Sequence, residues 1–181
     1  MTDVVIVGGG PAGLSAALFT AKNDLETVVF DADETWMHKA HLYNYLGIES
    51  IDGSEFMEAA REHVEAHGAT IREEVVEAVG RHDGGFVVET DADDYDARYL
   101  VLATGTDREL AEQLGCETTE DGTVAVGLDM ETSVENAYAT GGMVRDRTWQ
   151  AVISAGDGGA AALDVLSKEA GEPFHDFDSP E

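Results

Sequence analysis

The chain opens on a short apolar run, Asp3 to Val7, without the alternation of a half-exposed strand, which predicts a strand buried on both faces. Three glycines follow at once, and Leu14 to Lys22 then passes through Ala, Leu and Phe with no breaker, which predicts a helix. Thr27 to Phe30 predicts a second buried strand, ending on Asp31. Ala32 to Leu46, rich in Trp, His, Tyr and Asn, has no clean period and predicts a loop lying over a ligand. Ser54 is placed to cap a helix whose apolar face is Phe56, Ala59, Ala60, Val64 and Ala66, ending at His67-Gly68.

The second half reads more finely divided. Ala69 to Ile71 and Val75 to Val79 predict the third parallel strand and its continuation. Phe86 to Thr90 alternates, Tyr95 to Tyr99 reads as its partner, and Asp83-Gly84-Gly85 and Asp91 to Asp94 are turns, giving a small antiparallel excursion outside the main sheet. Tyr99 to Leu102 returns to a buried apolar strand. A short polar helix over Thr106 to Gly115, a strand over Gly122 to Val126 and a last strand over Asn136 to Ala139 follow. The final helix spans about Thr148 to Ala170 and is lined with Ala and Gly, among them Gly156, Gly158 and Gly159. Interior glycines cost a helix about 1 kcal/mol each against Ala, so a neighbouring element or a ligand must approach that backbone closely. The fold class is α/β: a Rossmann-like dinucleotide domain over residues 1–171, with an acidic, flexible tail over 172–181.

Strand, glycine turn and helix together give meaning to Gly8, Gly10 and Gly13 as a G-x-G-x-x-G pattern. Gly8 permits the tight turn, Gly10 leaves room for a pyrophosphate, Gly13 lets the helix pack on the strand, and the helix start at Pro11 and Ala12 offers N–H groups to phosphate. Asp31 lies eighteen positions after Gly13, where a carboxylate meets the ribose hydroxyls of an adenine dinucleotide. The motif does not say which dinucleotide.

Composition narrows the classes. Ten Lys and Arg face 38 Asp and Glu, a formal charge of −28. The acids are spread along the chain, which we read as the surface of a protein from a salt-accumulating cell rather than a face for one basic partner. No basic patch suggests nucleic acid, no apolar run suggests a membrane span, and no leader precedes the first strand, so the cytoplasm is the default location. A single cysteine, Cys116, excludes an intrachain disulfide or dithiol centre.

Several segments, taken in order, resemble the FAD domain of the thioredoxin-reductase-like flavoproteins: Val4 to Gly13 with Asp31, Tyr43-Asn44-Tyr45-Leu46-Gly47-Ile48, Leu102-Ala103-Thr104-Gly105, Thr132 to Gly142, and Trp149 to Ala161. The resemblance implies an FAD cofactor. Gly8, Gly10 and Gly13 would hold its pyrophosphate and Asp31 its adenosine ribose. Val76 would meet the adenine through its backbone, and Ala103, Thr104 and Gly105 would line the adenosine side. Asn44 would approach the isoalloxazine, Gly141 and Gly142 the ribityl and phosphates, and Gln150 and Ala151 the pyrimidine edge, where a helix N-terminus stabilises anionic charge. In that family a nicotinamide-binding domain carrying the redox C-x-x-C follows the A-T-G strand, whereas here Gly105 is followed ten residues later by Gly115-Cys116. The family's Gly-Asp is Gly141-Gly142 here, its Arg before Gln-Ala is Trp149, and Leu46 replaces a Pro.

The resemblance implies an oxidoreductase passing electrons through FAD to or from a redox partner protein, a nicotinamide nucleotide or a small substrate, without the C-x-x-C chemistry of thioredoxin reductase. Two other readings stand: a non-catalytic regulatory or scaffold module, and an NAD-binding protein without flavin. A homodimer would cover the surface that faces the missing domain in the family. No catalytic residue is assigned. Cys116 reads as buried filler, His63 and His67 as a solvated pair without further metal ligands, and His38 and His41 as loop histidines. Trp149 and Trp36 offer aromatic faces near the flavin.

Overall fold

The computed structural model describes residues 1–179. Its elements run β1 (Thr2–Val7), α1 (Pro11–Lys22), β2 (Thr27–Phe30), β3 (His41–Leu42), β4 (Ile51–Asp52), α2 (Gly53–Ala66), β5 (Thr70–Arg72), β6 (Val76–His82), β7 (Gly85–Thr90), β8 (Asp94–Leu102), α3 (Glu109–Leu114), β9 (Ala137–Ala139) and α4 (Ala151–Ala170). The main sheet has seven strands in the order β5-β2-β1-β8-β7-β6, with β9 also on β8. β1 is parallel to β2 and β8, β2 to β5, and β8 to β9. The expected α/β, Rossmann-like architecture is therefore present.

β1 is central because its side chains are apolar on both faces. Val4 and Ile6 join a core beneath α1, α2 and α4, while Val5 and Val7 join a second core with Phe30, Leu100, Leu102 and Met143. Full burial of a Val, Leu or Ile contributes about 1.5–3 kcal/mol, which is why so short a strand holds the centre.

β8 is one strand, not the two that the pattern suggested. Its first half pairs antiparallel with β7 (Tyr95 opposite Val88), and its second half pairs parallel with β9 (Leu100 opposite Ala137). β1 runs parallel to it from Ala97 to Leu102. The burial pattern changes at the same place, from alternating to continuous, so the antiparallel excursion is an extension of the parallel sheet.

Other expectations are corrected in detail. β5 is the third parallel strand, but β6 is not its continuation; it pairs antiparallel with β7. Asp52, not Ser54, caps α2, its carboxylate accepting the Ser54 N–H at 2.9 Å. The loop over residues 32–46 holds a 3-10 turn at Trp36–Lys39 and the strand β3, which pairs with β4. Gly122 to Val126 is not a strand: only Thr118 and Val124 bridge, and the Val124 and Ala125 N–H groups donate to Met143 and Glu117 carbonyls. α4 begins at Ala151 rather than Thr148.

The glycines of α4 meet α1. A Cβ at Gly158 would lie 2.0 Å from the Ala12 carbonyl oxygen, so the helices touch backbone to backbone. The start of α1 is thereby fixed against the middle of α4. Past α4, the Phe174 N–H donates to Ser167 Oγ, and Lys22 pairs with Asp176 at 2.9 Å.

Candidate functional site

The glycine turn is built by contact. Gly8 has φ of +109°, and a Cβ there would lie 2.3 Å from the Ala103 carbonyl oxygen, so the turn rests on the end of β8. A Cβ at Gly13 would lie 1.9 Å from the Gly8 carbonyl oxygen, which brings α1 down onto its own turn. Gly10 differs. Its nearest neighbour in the Cβ direction is Thr35 Oγ1 at 3.6 Å, so the space above it is open.

α1 starts with no side chain capping its N-terminus and no acid in its first turn, and α4 starts the same way at Gln150. By contrast, α2 has Asp52 as its cap and Glu55 in its first turn, and α3 has Glu109 and Glu112. In so acidic a chain, the two helix starts without carboxylates are those expected to meet the cofactor. Free N–H groups, a positive dipole end and open space at Gly10 fit a pyrophosphate.

Asp31 leaves β2 beside this turn and is 5% exposed. A Cβ at Gly9 would lie 2.1 Å from Asp31 Oδ2, so Gly9 is required by the carboxylate that covers it. Arg61, from α2, donates to that oxygen through Nε at 3.1 Å and Nη2 at 2.6 Å. Asp31 Oδ1 accepts the Asp33 N–H at 2.9 Å. Arg61 also bonds Asp33, and His38 joins Asp33 at 2.7 Å and Ser54 at 2.9 Å. The Arg61 hydrogen bond, with His38 second, holds the Asp33 carboxyl below its ordinary range. Sequence reasoning missed both Gly9 and Arg61.

Ala103 is buried and Gly105 exposed at the end of β8, and Gly142 lies against them: a Cβ there would sit 3.0 Å from the Gly105 carbonyl oxygen. A side chain at this position would need the Gly105 turn to give by a few tenths of an ångström. The Gly141 N–H instead donates to Asp157 Oδ2 at 3.2 Å, and Arg145 binds the same carboxylate. The Arg145 hydrogen bond to Asp157 raises the guanidinium pKa. Val76 opens β6 opposite Thr90, on the antiparallel side of the sheet, and packs against the second core.

At the other end, Asn44 and Gln150 are both exposed, and the Asn44 amide donates to Gln150 Oε1 at 2.7 Å. Two residues 106 positions apart, both expected at the flavin, are thus brought together. Tyr43 and Leu46, flanking Asn44 in the chain, and Trp149 and Val152, flanking Gln150, are exposed apolar side chains, and Trp149 donates from its indole to the Arg145 carbonyl at 2.9 Å. Trp36 is exposed, with Lys39 Nζ 5.2 Å from its ring centre.

The remaining candidates have structural partners. Cys116 is buried, and burial pushes its thiol pKa up. His67 bonds the His63 carbonyl at 2.9 Å, and His41 bonds Ser50 at 2.9 Å. Among the described residues, a cluster with metal-ligand spacing is Asp129, Glu131 and Asp164, but Lys168 pairs with Glu131 at 2.5 Å and Asp164 at 3.3 Å. No described helix is long and apolar enough to cross a membrane.

Comparison with known proteins identifies the family and the fold. A thioredoxin reductase from Treponema pallidum is 36% identical over 115 residues, which is 58% of this chain and 36% of that protein. The NAD(P)H sulfur oxidoreductase (CoA-dependent) of Pyrococcus abyssi is 31% identical over 179 residues, 92% of this chain and 37% of that protein. The chain thus spans little more than a third of the length of these curated relatives. Among solved structures, a thioredoxin reductase from Gloeobacter violaceus superposes with a TM-score of 0.88 at 21% identity, covering 99% of each chain, and shows the fold. The pyridine nucleotide-disulphide oxidoreductase family matches residues 2–53 and 45–159, its members are FAD-binding flavoproteins, and the chain belongs to it.

Proposed function

We propose that this chain holds FAD along the line from Arg61 to Gln150 and serves as an electron-transfer flavoprotein. The observation that carries the reading is the start of α1, uncapped by any side chain and free of acids, with open space at Gly10 and the buried Asp31 carboxylate beside it. Gly8, Gly10, Pro11, Ala12 and Gly13 would cradle the pyrophosphate, with Asp31 on the ribose and Val76, Ala103, Thr104 and Gly105 on the adenosine side. Gly141, whose N–H is held by Asp157, and Gly142 would lie along the ribityl and phosphates, and Asn44, Gln150 and Ala151 at the ring.

When bound, FAD supplies two-electron exchange with a nicotinamide hydride or stepwise exchange with a one-electron carrier. The chain's own part is electrostatic and positional. The α4 N-terminus places positive partial charge at the end of the site where the reduced ring carries negative charge. The Asn44–Gln150 bond ties the loop after β3 to that helix start. The exposed apolar side chains Tyr43, Leu46 and Trp149 offer a face to a docked nicotinamide or redox protein. A homodimer, cytoplasmic residence and use at high salt belong to the same proposal. The large acidic excess supports the last.

The test is the visible spectrum of protein purified in molar salt, followed by anaerobic titration with NADH and NADPH. Bound FAD that is bleached by either donor supports the reading. A colourless protein that takes up no FAD overturns it. Bound FAD that no donor reduces favours the regulatory module, whose support is the single cysteine and hence the lack of a dithiol pair.

A further inference from the structure

Asp31 and Arg61 form a unit whose arrangement goes beyond the ion pair itself. The Asp31 carboxylate is folded over Gly9, in space that any other residue at position 9 would fill with its Cβ. Arg61 occupies the oxygen in that space, Oδ2, with two donors. The other oxygen, Oδ1, accepts the Asp33 N–H and, among the described residues, no second hydrogen bond, while a carboxylate oxygen has about two acceptor sites. Arg61 is itself steered from behind. Asp33 accepts from it, His38 bonds Asp33, and Ser54 at the start of α2 bonds His38, which returns the network to the helix that carries Arg61.

We infer that Arg61 is a positioning residue for nucleotide recognition: by holding Oδ2 of Asp31 over Gly9, it presents Oδ1 as the acceptor that selects a ribose hydroxyl on the bound adenosine. The inference rests on the proposed binding of FAD and assigns a residue to its specificity. Arg61 does not touch the nucleotide in this role. It fixes which oxygen is offered and in what orientation, and its charge offsets the cost of burying a carboxylate beside a pyrophosphate. A planar fork suits the task better than an ammonium, because two parallel donors on one oxygen set its orientation as well as its charge.

The experiment measures binding of ADP and 2′-deoxy-ADP, in molar salt, to the wild-type protein, R61Q and R61K, with FAD uptake by each protein recorded separately. The wild type is expected to prefer ADP by about tenfold or more, the range for a hydrogen bond to a charged group. R61Q is expected to bring that preference within about twofold, with R61K in between. A general loss of structure would weaken both nucleotides alike and leave their ratio unchanged. If R61Q fails to fold, by circular dichroism, R61K alone decides through the same ratio. An R61Q or R61K protein that keeps the full preference overturns the inference, as does a wild type that binds FAD without telling the two nucleotides apart. A wild type that binds neither FAD nor ADP overturns the proposed function, and this inference with it.

Discussion

At the adenosine end of the site, a buried carboxylate is held by a guanidinium and a backbone N–H over a glycine that leaves it room. At the flavin end, two exposed amides meet in one hydrogen bond amid exposed Tyr43, Leu46 and Trp149. The first end is fixed by packing and charge before any ligand arrives. The second is a surface loop pinned to a helix start, with Tyr45 and Ala151 half-buried against the core and their neighbours Asn44 and Gln150 exposed. Under the proposed function, the adenosine end is preorganised and the flavin end is left accessible, which suits exchange of electrons with a docked donor or acceptor.

The comparison can be broken most sharply at the seam that supports the buried end. Gly158→Ala would push a methyl into the Ala12 carbonyl and part α1 from α4. We expect a loss of about 3 kcal/mol, at the upper end for overpacking because the obstacle is backbone, read by denaturant unfolding in high salt. Gly9→Ala comes next. It expels the Asp31 carboxylate and should weaken FAD binding about 10- to 100-fold in a fluorescence titration, while stability falls less than for Gly158→Ala.

A pH series sharpens the role of Arg61. The Asp33 carboxyl is depressed in the folded state, so its contribution is present above the unfolded value near 3.9 and is lost as pH falls through the folded value. The stability difference between wild type and R61Q should be full at pH 6–7 and shrink below about pH 4. Unfolding curves at pH 3, 5 and 7 check the sign. Cys116, pushed up by burial, should react with iodoacetamide at pH 8 at least about tenfold more slowly in the folded protein than in denaturant. The smallest effect belongs to the open end. Asn44→Ala should change stability by less than about 0.5 kcal/mol, since the bond it removes is exposed. It should still move the flavin absorption bands.

What the sequence showed of this site was its local part. Gly8, Gly10, Gly13 and Asp31 are recognisable because their spacing follows from one strand, one turn and one helix. Gly9 carries no such local signal, because the atom that fills its space arrives from the end of β2. Arg61 was hidden for the same reason: on a helix rich in Glu, a lone Arg reads as a solvated charge, and only the fold shows that it points at Asp31. Its rarity was a signal, since ten cations must be shared among 38 acids. β8 was divided in two because its period changes where its partner changes. Gly122 to Val126 carried a strand's composition, but its backbone groups are satisfied by loop carbonyls instead of a ladder.

The missing acids at the starts of α1 and α4 have a kinetic consequence. A nucleotide carrying phosphate charge approaches a body of formal charge −28 and is repelled over roughly a Debye length. In the proposed site it meets the N–H groups of α1 only in the last few ångströms, where salt screens far less. Ionic strength should then govern how fast FAD arrives more than how firmly it stays, so in dilute buffer the site is a good resting place behind a slow door.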